Sequence, residues 1–94
     1  MDQAKKYIRL SGRVQGVGFR HFTRVNATEL GIKGWVKNLP DGDVEAVLQG
    51  DEPSVQALIE RLKQGPRMAR VDDLSVDEEN DALDESFREF SVRY

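Results

Sequence analysis

Two stretches of this chain repeat their apolar residues at three-and-four spacing, and most of the rest alternates. Phe19, Phe22, Thr23, Asn26, Ala27 and Leu30 fall on one stripe, and Val55, Leu58, Ile59 and Leu62 form a second. This spacing predicts two amphipathic helices, each with a single face to bury. Gly31 is a stop signal for the first; Asp51 and Pro53 start the second and Gly65-Pro66 ends it. Residues 5–12 alternate, with Ile8 and Leu10 on one side and Tyr7 and Arg9 on the other, as in a half-buried strand. Residues 34–39 and the alternating Val44, Ala46 and Leu48 flank a Pro-Asp-Gly turn and read as a hairpin. Residues 71–76 and 87–94 supply two more strands, joined by an acidic connection over residues 78–85. Two helices with one stripe each can cover only one side of a sheet, and alternating strands leave the other side to water. The predicted fold is therefore α+β: a split β-α-β, ferredoxin-like sandwich. It reads βαββαβ plus a short final strand, with both helices on one face of a mostly antiparallel sheet.

Ninety-four residues make one domain, spanning 1–94. The absence of cysteine excludes disulfides, thiolate catalysis and cysteine-ligated zinc, and the single histidine excludes a histidine pair. No apolar run approaches the roughly 18 residues of a membrane span, and the first residues lack a signal peptide's apolar segment. A cytoplasmic protein without a membrane partner is the expectation. Charge is unevenly distributed. Residues 1–40 carry eight basic and two acidic side chains, and residues 41–94 carry six basic and fifteen acidic, so +6 and −9 combine to the overall −3. The asymmetry points to an anionic partner for the first half, unless the halves interleave in space and neutralise each other. Overall acidity argues against a long nucleic acid, whereas a small anion in a local basic pocket fits both facts.

The segment Ser11-Gly-Arg-Val-Gln-Gly-Val-Gly-Phe-Arg20 joins the first strand to the first helix. Three glycines within residues 12–18 let successive N–H groups turn toward one spot, and the helix adds the positive end of its dipole. Arg20, in the first helical turn, offers a planar, permanently charged fork suited to phosphate oxygens. The segment has neither the Walker lysine nor the dinucleotide glycine spacing, and the same glycines also suit an ordinary tight turn. Asn38, at the end of the second strand on the face of Val36, is either a turn former or a polar group aimed at this loop.

The stretch Gly12-Arg-Val-Gln-Gly-Val-Gly-Phe-Arg20, followed by Gly34-Trp-Val-Lys-Asn38 and Asp41-Gly-Asp-Val-Glu45, resembles the acylphosphatases. The resemblance runs through the Phe-Ser-Val-Arg-Tyr ending, over essentially the whole chain. It implies a small ferredoxin-like enzyme that hydrolyses carboxyl phosphates to a carboxylate and inorganic phosphate, without metal or cofactor. By this resemblance Arg20 binds the phosphoryl group and Asn38 positions water. The main chain of Arg13, Val14, Gln15, Gly16, Val17, Gly18 and Phe19 forms the cradle. Gly18 stands where some vertebrate members carry cysteine; glycine is common in microbial ones. The implied substrate is a small acyl phosphate, with inorganic phosphate or sulfate as product-like ligands, and the default state is a monomer.

Such a reaction asks little of the protein. The leaving carboxylate is already stable as an anion and needs no general acid, so positioning and charge stabilisation suffice. Other polar residues have plainer readings. His21 lies off the apolar stripe and reads as a surface histidine, Asp41 belongs to the turn, and Glu45 points away from the core face. Arg13 either adds potential at the cradle or is solvated, and Trp35 packs on the outer sheet face. Two competing functions share this fold. One is an RNA-recognition module, which requires stacking aromatics that Tyr7 and Arg9 do not supply in pattern. The other is a non-catalytic, small-anion-binding or regulatory domain that keeps the cradle.

Overall fold

Alternation along the strands sets their pairing. In a computed structural model describing residues 3–94, β1 (Gln3–Arg13) aligns Ile8 with Ala46 and Leu10 with Val44 of β3 (Val44–Asp51). β2 (Lys33–Asn38) in turn sets Val36 against Ala46. One continuous apolar face results, and α1 (Phe19–Glu29) and α2 (Glu52–Gln64) cover it. Ile8, Leu10, Val36, Val44, Ala46 and Leu48 from the sheet meet Phe19, Ala27, Val55, Leu58 and Leu62 from the helices in a single buried cluster. With β4 (Arg70–Asp77) and β5 (Phe90–Arg93), the sheet order is β4-β1-β3-β2-β5. All neighbours are antiparallel except β2 and β5. Each helix thus links two parallel strands that have an antiparallel strand between them, the expected split β-α-β topology.

The helix signals act as anticipated. Asp51 caps α2, its carboxylate accepting from the Ser54 N–H at 3.3 Å and the Ser54 hydroxyl at 2.9 Å. After Leu30, the Ile32 N–H returns to the Ala27 carbonyl at 2.8 Å and closes α1. The polar members of the α1 stripe are satisfied, one within the helix and one also across to α2. The buried Thr23 hydroxyl donates to the Phe19 carbonyl at 2.8 Å, and Asn26 Oδ1 accepts from Arg61 of α2 at 2.9 Å. Among the described residues no helix is long and apolar enough to cross a membrane.

The outer sheet face departs from expectation. It does not simply meet water: Val47 is fully buried and Trp35 is 6% exposed on that side. The reason is topological. β4 and β5 are opposite edges, so the chain between them must travel past the other strands. That connection is more than a solvated acidic run. It contains a 3₁₀ turn (Asp81–Asp84), and its carbonyls at Leu83 and Glu85 accept from Lys5 Nζ at 3.0 and 2.8 Å. Arg93 lies 4.7 Å over the Trp35 ring and 6.0 Å from that of Phe87. The last strand is consequently shorter than residues 87–94, because Phe87 serves this cover rather than the ladder. Val76, placed by alternation in phase with Leu74, is 46% exposed at the end of the edge strand β4.

Candidate active site

Past Arg13 the chain leaves β1 and turns tightly into α1. Gly16 and Gly18 make that turn with φ of 72° and 76°. A Cβ at either position meets nothing within 4 Å, so the requirement there is the left-handed backbone and not space. Gly18 is also the N-cap of α1, where no side chain caps the helix and no acidic residue occupies the first turn. The first helical bond runs from the Phe22 N–H to the Gly18 carbonyl at 3.0 Å. The N–H groups of Phe19, Arg20 and His21 therefore have no helical acceptor, and the positive helix end is open to an anion.

Arg20 projects from this first turn. Among the described residues no carboxylate pairs with it. Its guanidinium rests 4.8 Å from the centroid of the Tyr94 ring, which holds the fork without neutralising it. Asn38 ends β2 on the core side, paired with Val44. Its Oδ1 is buried and has no hydrogen-bond partner. An unmade bond of this kind is uncommon in a native interior, and Trp35 Nε1 and Gln49 Oε1 share it among the described residues.

These groups share one pocket of about 240 Å³. Val14, Gln15, Gly16, Gly18, Phe19 and Arg20 line it together with Asn38, so the loop and the strand end do meet. Arg13 and Val17 do not line it. Arg13 is exposed at the end of β1, opposite Arg70, and Val17 packs against the core. His21 is exposed, as its position predicts, yet it borders the pocket, as do Arg24, Val92 and Tyr94. Arg24 was recoverable from its spacing, one helical turn beyond Arg20. Val92 and Tyr94 reach the site only because β5 runs parallel to β2, a long-range pairing with no local signal. Among the described residues no aspartate or glutamate lines the pocket, while Arg20 and Arg24 do.

The tempting carboxylates are occupied elsewhere. Asp41 accepts the Asp43 N–H at 3.0 Å and pairs with Arg9, which also binds Asp43 at 2.8 Å. Glu45 accepts the Tyr7 hydroxyl at 2.8 Å on the outer face. Burial, and then this bond to Glu45, push the Tyr7 phenol up to about 12, so it remains a neutral donor.

Comparison with known proteins agrees with this geometry. The sequence profile of the family described as Acylphosphatase matches residues 6–92. An acylphosphatase of Acaryochloris marina is 53% identical over 83 residues, covering 88% of this chain and 86% of that protein. One from Bifidobacterium longum is 47% identical over 89 residues, covering 95% and 91%. The crystal structure of acylphosphatase from Bacillus subtilis superposes with a TM-score of 0.89 at 40% identity, covering 99% of this chain and all of that one. A glycine loop opening on an uncapped helix, within a sheet of this order and among relatives matched nearly end to end, settles the kinship: the chain belongs to the acylphosphatase family.

Proposed function

We propose that this acylphosphatase-family hydrolase grips the phosphoryl group of an acyl phosphate with the main-chain N–H groups of residues 13–19 and the Arg20 guanidinium, while Asn38 orients the attacking water. The observation that carries the proposal is the meeting, in one pocket that no described aspartate or glutamate lines, of an uncapped helix start, an arginine that no described carboxylate pairs with and a buried, unpartnered Asn38 Oδ1. The cradle and the fork are fixed before substrate arrives, so they stabilise charge on the equatorial oxygens without reorganising. Asn38 Oδ1 accepts from the water and directs its lone pair at phosphorus. The P–O bond to the acyl group breaks, the carboxylate leaves as a stable anion, and the substrate's own phosphate oxygen takes the water's proton. Arg13 and Val17 do not line the pocket, so in this reading the residues of the loop that do line it, Val14, Gln15, Gly16, Gly18 and Phe19, present the closest N–H groups.

The mechanism above calls on no group from a second copy, and a monomer is the proposed working unit. The absence of cysteine leaves no dependence on an oxidising compartment and fits a cytoplasmic enzyme acting on a small metabolite. The outer sheet face offers no platform for nucleic-acid bases, because Trp35 lies buried beneath Arg93 and the Tyr7 hydroxyl is tied to Glu45. The test is benzoyl phosphate hydrolysis by Asn38→Ala. The expected result is lost turnover with inorganic phosphate affinity largely kept; loss of both together assigns Asn38 a structural role instead.

A further inference from the structure

One side chain of the pocket has no part in the chemistry above. Gln15 belongs to the cradle by its main chain, but its side chain turns toward the β2–β3 hairpin. There Nε2 donates to the Leu39 carbonyl and to the Asp43 carbonyl, both at 2.8 Å. An amide NH₂ carries two hydrogens, and here each has its own oxygen. Those two oxygens are the ends of one turn: the Leu39 N–H donates to the Asp43 carbonyl at 2.8 Å, and the Gly42 N–H to the Leu39 carbonyl at 3.2 Å. Arg9 of β1 holds the same turn through Asp43 and Asp41. The turn is therefore fastened twice to the β1–cradle segment, by Arg9 before the loop and by Gln15 within it. Asn38 immediately precedes Leu39, so the Gln15–Leu39 bond spans the gap between the anion cradle and the asparagine.

We infer that the Gln15 side chain is a positioning residue: it ties the cradle to the strand end bearing Asn38 and so fixes where the attacking water stands relative to the held phosphoryl group. The inference rests on the reading of Asn38 given above. Loss of the tether acts on turnover and not on phosphate capture, because the cradle N–H groups and Arg20 do not depend on it. Displacing a reacting group by an ångström is enough to cost about a hundredfold in rate.

The experiment compares the wild-type protein with Gln15→Met, Asn38→Ala and the double variant, measuring kcat on benzoyl phosphate and Kd for inorganic phosphate. Methionine keeps the length and removes both donors. The expected result for Gln15→Met is a fall in kcat of about tenfold to a hundredfold, with phosphate Kd changed by less than about threefold. In the Asn38→Ala background the same substitution should change kcat by less than about twofold, because the two residues act as one unit. Gln15→Glu, of the same shape but facing two carbonyl oxygens with a carboxylate, should fall below Gln15→Met. Unchanged kcat in Gln15→Met overturns the inference. So does an equal fall in both backgrounds, or a loss of phosphate affinity matching the loss of kcat. If Asn38→Ala itself keeps full turnover, the water-positioning role fails and this inference fails with it. If Asn38→Ala is dead while Gln15→Met is fully active, only the tether is refuted.

Discussion

Replacing Arg20 with alanine should separate activity from stability more cleanly than any other change in this protein. The guanidinium has no carboxylate partner among the described residues, so no ion pair is lost. Its contact with the Tyr94 ring at 4.8 Å is solvent-accessible and contributes about 0.5–1 kcal/mol. Against that, a cation in the first turn of α1 opposes the helix dipole, which costs about 0.3–1 kcal/mol, and no acidic residue there offsets it. The two effects nearly cancel, so Tm of the ligand-free protein should move by only a few degrees in either direction. In the proposed mechanism the fork stabilises charge on the phosphoryl oxygens of the transition state, and losing one such preorganised group costs about 3–4 kcal/mol, or roughly a hundred- to a thousandfold. The assay is steady-state hydrolysis of benzoyl phosphate beside thermal melts with and without phosphate. Activity should collapse, and the rise in Tm that phosphate gives the wild type should vanish. Arg20→Lys should also fail badly, since a point charge does not replace a fork. A variant that keeps more than about a tenth of the activity, or one that melts far below the wild type, refutes the reasoning.

Other sites give independent tests. Gly16→Ala places a Cβ in open space at φ 72°, so it should cost about 1–2 kcal/mol of stability, read from urea midpoints; a cost well above that range contradicts a requirement confined to the left-handed backbone. Tyr7, raised to about 12 from 10.0 first by burial and then by Glu45, stabilises the fold fully below pH 10 and loses that contribution as pH rises toward 12. Urea midpoints should therefore fall more steeply with pH for the wild type than for Tyr7→Phe across this window, and parallel slopes contradict the assignment. Leu58→Ala opens a hole beneath the fully buried α2 stripe and should cost about 2–5 kcal/mol, with kcat per folded molecule unchanged; a selective loss of kcat means that this helix face reaches the site.

Local chemistry explains why so much of this molecule was legible in its sequence. Both helices and the three inner strands follow from the period of apolar residues, because one-sided burial enforces that period; the edge strands obey it only in part, with Val76 exposed on β4 and β5 confined to Phe90–Arg93. The turn from β1 into α1 could be read because closely spaced glycines before a helix are a backbone requirement written directly in residue type. Asn38 was ambiguous until Val44 and Ala46 fixed the register that turns it toward the loop. What was hidden depends on contacts between distant segments. The parallel pairing of β2 with β5 brings Val92 and Tyr94 to the pocket, and nothing near either residue announces it. The cover over Trp35 arises from the need to join opposite sheet edges, which alternation along single strands does not encode. Gln15 looked like one more cradle residue, since its side-chain acceptors at Leu39 and Asp43 become visible only once the hairpin is folded against the loop.

Titrating the ¹⁵N-labelled protein with inorganic phosphate and following its amide resonances probes the anion cradle directly. Saturable shifts concentrated at residues 14–20, absent in Arg20→Ala, are the expected result. Shifts centred on another surface, or none at the loop at concentrations that inhibit hydrolysis, contradict the account.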